Sequence, residues 1–391
     1  MAKDSVKYNF FYFGNSDWSS LPNREHHIAF NLAKNGHNVF FIEEMPSIAK
    51  KNRIIFSNTK ENIPYYTEIP ANLKIIKPST IPTFFRSSLT PKLDQKIFLN
   101  WFKEEIKFSI KSPSVAIIST PVWFYLFKEE IECFDFVVYD LYDDLNVSAR
   151  NKRALRYLKE CEKIAVQKSN LIICSAPSLQ KYIEIQYGLN SVLIRNAVDE
   201  SIITENYTPV TKKIIGLVGA FKESNYIYDF QLIGKVADSF PDYEIRIIGN
   251  VSREQLKYLL KYRNINCAGY CSSQKLREHL NEFSVCIIPF LSTEVVRAIN
   301  PLKMYEYLAF GRPVVATDNF DYGDAKDLLF LSNDHDEFIQ NIGNAIRSDK
   351  HEINIRSINY IKNKNWNNHV DQIVGLINSQ MNKNILQTLK Y

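Results

Sequence analysis

The sequence predicts an α/β protein made of two doubly wound, Rossmann-like halves, and three observations predict it. Short continuous apolar runs alternate with amphipathic stretches of helical period, and this grammar appears once in the first half and again from Lys212 onward. The apolar runs end in glycine, proline, threonine or aspartate, the residue types expected where a buried strand gives way to a loop. A chain of 391 residues is also longer than one ordinary domain, so two separate cores are expected.

In chain order, "YNFFYFG" reads as a strand, Asn23 to Lys34 as a helix, and "HNVFFIEE", "SVAIIST" and "FDFVVYD" as strands. Lys152 to Val166 is the next helix and "NLIICSA" the next strand. Runs this apolar suit parallel strands covered on both faces. The second half opens with the strand "KKIIGLVGA", followed by a helix from Phe230 to Phe240, the strand "YEIRIIGN", a helix from Arg253 to Tyr262 and the strand "SVCIIPF". In "NPLKMYEYLAFGRPVVATD", Asn300 suits an N-cap and Pro301 the first helical position. Leu302, Tyr305, Leu308 and Ala309 then recur at helical spacing, Gly311 suits a left-handed terminus, and Pro313 to Thr317 reads as a buried strand. Between the halves, "VLIRNAVDESIITENYTPVTKK" has neither period and reads as a linker. The expected division is 1–197, a linker at 198–211, 212–364, and a final helix at 365–391.

Hydrophobic residues at 45% and charged residues at 23% describe a chain folded throughout. A net charge of +5 is too small for a dedicated nucleic-acid binder, which leaves anionic small ligands or an anionic membrane surface as partners. No apolar run reaches the roughly 18 residues of a membrane span. "MAKDSVKYNFFYFG" lacks a cleavage site, so a cytoplasmic protein is expected. Cys174 and Cys286 sit in strand-like runs as reduced core thiols; Cys267 and Cys271 are not spaced as a metal knuckle, and no metal site is expected.

Two open parallel sheets would place their strand C-termini at the edges of a shared cleft. Lys303 and Glu306, three apart near a helix N-terminus, form one face suited to a phosphorylated ligand; a solvated i,i+3 salt bridge is the alternative. "VVYDLYDDLNVS" offers Asp140, Asp143 and Asp144 as carboxylates at a strand end, where adjacent acids tend to raise one another's pKa, or as caps and solvated loop residues. Gly219, Tyr270 and Phe290 fall at strand ends of the second half, and each aromatic either flanks a nucleobase or belongs to the core. His26 and His27 follow Arg24 on the first helix; the plain alternative has one imidazole packed and the other exposed. From Phe84 to Lys111, aromatics and leucines interleave with basic residues, which suits either an anionic bilayer or an ordinary packed surface helix.

Taken in order, "GLVGA…YDF", "IRIIGN", "AGY", "CIIPF" and "NPLKMYEYLAFGRPVVATD" resemble the nucleotide-sugar domain of GT-B glycosyltransferases. "GNSDWSSLPNREHHIAFNLAKNGHNVFFIEE" resembles their first strand and helix, and "SNLIICSAPSLQKYI" with "LIRNAVD" their exit from the first domain. The likeness runs from about Tyr8 to about Val374 and is greatest to bacterial enzymes of exopolysaccharide and teichuronic acid assembly, the xanthan glucuronosyltransferase type. It implies that Lys303 contacts the donor diphosphate and Glu306 the ribose, with Asn300, Pro301, Leu302 and Gly219 around them. It points to Asp143, with Asp144 beside it, as the general base. Trp18, Arg24, His26 and His27 are then residues that bind acceptor or align the base. It also implies that the helix beginning near Trp366 crosses back onto the first domain. The retaining branch carries a glutamate eight positions before the ribose-binding one, where this chain has Ala298, so inversion is the expected outcome. The expected activity is transfer of a sugar, most simply uridine-linked, to a hydroxyl of a glycan or lipid-linked acceptor, with no metal and with peripheral contact at the inner membrane face. A nucleotide-sugar 2-epimerase of the same fold and a non-catalytic glycan or nucleotide binder are the alternatives.

Overall fold

Each half of the chain is organised by one parallel sheet whose central strands carry almost no polar side chains. The computed structural model describes residues 6–20, 22–45, 66, 68–78, 90–145, 149, 151–203, 209–219, 221, 227–271 and 273–388. Two units result: Met1–Arg195 with Asn367–Tyr391, and Asn196–Trp366.

The first unit has strands β1 (Asn9–Phe13), β2 (Asn38–Ile42), β3 (Leu73–Ile76), β4 (Ser114–Ile118), β5 (Phe136–Leu141), β6 (Leu171–Cys174) and β7 (Val192–Leu193). Their order across the sheet is β3-β2-β1-β4-β5-β6-β7, and every pairing is parallel. Phe10 to Phe13 in β1 are wholly buried, which is why that run shows no alternation. Helices Arg24–Lys34, Pro91–Trp101, Pro121–Leu126, Lys152–Lys168 and Pro177–Tyr187 accompany this sheet. The helix Trp366–Thr388 contributes Val370, Ile373 and Ile377 to the core, and its Asn378 accepts a hydrogen bond from the Tyr8 hydroxyl.

The second unit has β8 (Ile214–Val218), β9 (Glu244–Ile248), β10 (Ile265–Gly269), β11 (Val285–Ile288), β12 (Val314–Thr317) and β13 (Leu329–Ser332), in the parallel order β10-β9-β8-β11-β12-β13. Helices Phe230–Ser239, Arg253–Leu259, Ser273–Glu282, Leu302–Ala309, His335–Arg347 and Lys350–Ile361 lie between and after these strands.

The stretch read as a linker is more structured than its composition suggests. Val192–Leu193 joins the first sheet as β7, Ala197, Val198 and Ile202 are buried, and Val198 bridges to Asn365 inside the second unit. Positions 204–208 within it lie outside the described residues. Of the basic aromatic segment, 84–89 lie outside them too. The remainder buries Phe98, Trp101, Phe102 and Ile106 and leaves Leu93 and Phe108 exposed. Among the described residues no helix is long and apolar enough to cross a membrane.

Candidate functional site

In an open parallel sheet, ligands bind beyond the strand C-termini where the strand order reverses direction. In the second unit that point lies between β8 and β11. Gly219 follows β8, Phe290 follows β11, and both meet the helix Leu302–Ala309 there. Lys303 is the point of convergence. Its Nζ donates to the Tyr228 hydroxyl and stands 4.5 Å from the Tyr228 ring centre and 5.3 Å from that of Phe290. The rings supply a negative face to the ammonium but no counter-charge, so burial depresses the Lys303 pKa to about 7. Glu306, one turn on, is raised to about 7 by burial, with Lys303 opposing that rise. The two form no ion pair within 4.0 Å, so the plain i,i+3 salt bridge is not what is present. Each keeps part of its side chain in solvent. An ammonium that is costly to charge, partly open to solvent and unpaired with its neighbouring acid is poised for an anion from outside.

Gly219 makes this closeness possible. A Cβ there would collide with the Tyr228 hydroxyl and stand 3.0 Å from Lys303 Nζ. Tyr228 cannot retreat, because its ring packs 4.4 Å from Phe221 and 5.3 Å from Phe290. Gly219 N donates to Ile248 O, and Gly249, at φ +128°, has no room for a Cβ against the Gly219 carbonyl.

Asn300 departs from expectation. The N-cap of the helix is Pro301, and no side chain caps it. The Asn300 amide instead accepts from Asn196 N at 2.7 Å and the Tyr305 hydroxyl at 3.1 Å, and donates to Asp321 O at 2.8 Å. The first-turn N–H groups therefore have no side-chain cap, which leaves them for an anion beside Lys303. Pro301 and Leu302 fix where this turn begins. Phe290 is 2% exposed and packs against Tyr228 and Phe320, so its ring supports Lys303 and presents no face for a base to stack on. Tyr270, directly after β10, is half-buried and keeps an accessible surface. Asp229 is structural: it caps Phe230–Ser239 through Leu232 N at 2.9 Å and meets His335 Nε2 at 2.8 Å.

In the first unit the order reverses between β1 and β4. Glu25 organises this point, and the sequence reading passed over it. Its carboxylate accepts from Asn15 N at 2.9 Å, Ser16 Oγ at 2.7 Å, Ser119 Oγ at 2.6 Å and the Tyr142 hydroxyl. Its position in the first turn of a capped helix was the available signal, but the partners come from three other loops. Arg24 forms a buried ion pair with Asp140 at 2.9 Å and donates to Ile194 O at 2.9 Å, while the Tyr12 hydroxyl donates to Asp140 at 2.9 Å. Asp140 is thus committed inside the core, where burial raises its pKa.

Both histidines are buried, which removes the reading with one imidazole exposed. His26 completes a capping box with Asn23 and has Nε2 3.1 Å from Asp17 O; burial lowers its pKa to about 4. His27 Nδ1 lies 2.6 Å from the Tyr66 hydroxyl. Trp18 is held by a bond from its N–H to Glu43 at 2.7 Å and packs 5.2 Å from His26 and 5.0 Å from Phe41. Arg24, His26, His27 and Trp18 are brought together as the internal frame of this loop region. Asp143 is exposed and Asp144 half-buried just beyond β5, next to the Tyr142 that Glu25 holds.

Residues 212–348, which contain Gly219, Lys303 and Glu306, match the family described as Glycosyl transferases group 1. This segment of the second unit therefore matches a group 1 glycosyltransferase domain, and the two parallel sheets, of seven and six strands, are those of the GT-B fold. It is 23% identical over 255 residues to the teichuronic acid biosynthesis glycosyltransferase TuaH of Bacillus subtilis (strain 168), a match covering 60% of this chain and 61% of that protein. Among solved structures, the sucrose-phosphate synthase from Thermosynechococcus elongatus superposes with a TM-score of 0.68 at 13% identity, covering 95% of this chain and 99% of that one. Anabaena HepE in complex with UDP and glucose gives 0.64 at 14%, covering 95% and 99%. These structural likenesses show the shared fold.

Proposed function

We propose that this protein is a glycosyltransferase that transfers a sugar from a uridine diphosphate donor to a hydroxyl of a glycan or lipid-linked acceptor, with inversion, in bacterial surface polysaccharide synthesis. The observation that carries the reading is the Lys303 cluster: a desolvated, partly accessible ammonium beside an uncapped helix N-terminus and a strand-end glycine. As the bond from the anomeric carbon to the diphosphate breaks, its electron pair leaves with the phosphate oxygen. Lys303 and the first-turn N–H groups lie where that charge gathers, and they call for no metal. Glu306 faces the ribose. Asp143 takes the proton of the acceptor hydroxyl as its oxygen attacks the anomeric carbon, and Asp144 and Glu25 keep the loop in place. Arg24, His26, His27 and Trp18 act as positioning residues beneath it. Ala298, buried at the end of the Glu294–Arg297 turn, offers no carboxylate for a retaining arrangement.

The name of the Bacillus relative supports a cell-surface polysaccharide, and the UDP in the HepE complexes supports the donor. Exposed Leu93 and Phe108, in a segment that also carries Lys92, Lys96 and Lys111, support peripheral contact with an anionic membrane; Lys103 and Lys107 of the same segment pair with Glu130. The test is sugar transfer with a panel of UDP-sugars and membrane extract. Asp143→Asn should keep uridine diphosphate affinity and abolish transfer. A fully active variant moves the base elsewhere, and an epimer formed from donor alone, seen by NMR, replaces transfer with isomerisation.

A further inference from the structure

We infer that the first unit carries a second ligand surface, a groove between helices Lys152–Lys168 and Pro177–Tyr187 that holds a stretch of carboxylate-bearing glycan. The inference rests on the transferase reading above and names the chemistry of its acceptor.

The groove has a volume of about 380 Å³ and is lined along one wall by Lys152, Arg156, Lys159 and Lys163, with the single carboxylate Glu160 among them, and on the other by Tyr182 and Tyr187. The four cations are spaced i, i+4, i+7 and i+11, so they form a single stripe about 16 Å long. The opposite face of that helix buries Ala154, Leu158, Cys161 and Ala165, and this packing accounts for the helix without requiring any cation outside it. Lys163 pairs with Glu160 at 2.9 Å, but among the described residues Lys152, Arg156 and Lys159 have no carboxylate within 4.0 Å. Elsewhere on the same helix Lys168 does pair, with Glu132 at 2.7 Å. Like charges one turn apart repel on a helix, so these three cations in a row bring it no stability of their own.

The opposite wall is rigid. Tyr182 and Tyr187 stand edge to face, centroids 6.1 Å apart at 89°. Both hydroxyls donate to Glu162 Oε2, at 2.5 and 2.9 Å, and Tyr139 donates to Oε1 at 3.1 Å. Glu162 is wholly buried, so the two rings are fixed from beneath. Fixed aromatic surface opposite a row of cations matches a sugar acid: the rings take the apolar face of the pyranose and the cations its carboxylates.

Placement agrees with this. The helix begins at Lys152, shortly after Asp143 and Asp144, and the Asp144 carboxylate is near enough to Glu162 to raise its pKa further. A glycan whose end hydroxyl meets Asp143 would continue over this stripe. A bilayer surface fits less well, since no large apolar residue is exposed on the cationic helix, and Ile185, exposed on the second helix, does not line the groove.

The experiment is calorimetry on the full chain with oligogalacturonate as the probe, neutral dextran of equal length as its control, and inorganic polyphosphate as a second polyanion. Oligogalacturonate should bind at least tenfold more tightly than dextran or polyphosphate and weaken as salt is raised. The double variant Arg156→Glu, Lys159→Glu should lose at least tenfold of that affinity while binding uridine diphosphate as the wild type does. Unchanged oligogalacturonate affinity in the double variant overturns the groove. Equal binding of polyphosphate, or binding to anionic phosphatidylglycerol vesicles without binding to oligogalacturonate, overturns the glycan. Uridine diphosphate titrations of Lys303→Ala, run alongside, test the donor reading alone and do not depend on this groove.

Discussion

Affinity for uridine diphosphate should fall steeply between pH 8 and pH 9.5, and a single lysine should be the cause. Burial among Tyr228, Phe290 and the strand end at Gly219 brings the Lys303 pKa to about 7. At pH 8 about one-tenth of the free protein carries that charge, and at pH 9 about one-hundredth. A diphosphate beside Nζ restores the charged form, so binding takes up close to one proton in this range. Affinity then drops about tenfold, or about 1.4 kcal/mol, for each pH unit, over a window where the phosphate itself is already ionised. Glu306, raised to about 7, is also ionised there and adds no slope. Isothermal titration calorimetry in two buffers of different ionisation enthalpy reads the proton uptake directly. Lys303→Arg keeps its charge throughout and should flatten the profile. Lys303→Ala should bind at least about tenfold more weakly at pH 7 and show no slope. A wild-type affinity that stays level from pH 8 to 9.5, with no buffer-dependent heat, would refute the reasoning.

Two further outcomes are expected. Gly219→Ala places a methyl against a tyrosine that two other rings hold still; by the usual cost of overpacking it should lose about 1–3 kcal/mol in denaturant unfolding and most of its uridine diphosphate affinity, and near-wild-type values for both would show that the ring can move. Phe108→Asp should reduce sedimentation with phosphatidylglycerol vesicles without changing transfer to a soluble acceptor, whereas equal sedimentation removes that surface from any membrane role.

Central strands were legible because burial on both faces leaves continuous apolar runs: β1, β4, β5 and β11 fall inside the stretches read as strands. The edge strand β3 and its counterparts β10 and β13 are short and half-solvated, as in "LKII" and "INCAG", and carry little pattern. Lys303 could be picked out because it and Glu306, three apart near a helix N-terminus, are the two charges of an otherwise largely apolar helix. The reason Gly219 must be glycine could not, since it lies in the packing of Tyr228 against Phe221 and Phe290. Asn300 shows tertiary contacts winning over a local preference: good cap chemistry was diverted to Asn196 and Asp321, leaving the helix end open. Glu25 was missed because a carboxylate's importance here depends on residues 15, 16, 119 and 142 arriving together.

The most direct test is a crystal structure of the protein soaked with uridine diphosphate. A phosphate oxygen should lie within hydrogen-bond distance of Lys303 Nζ, with the N–H groups of the first helical turn pointing at the same group. Nucleotide bound elsewhere, with Lys303 still turned to Tyr228 alone, would contradict the account.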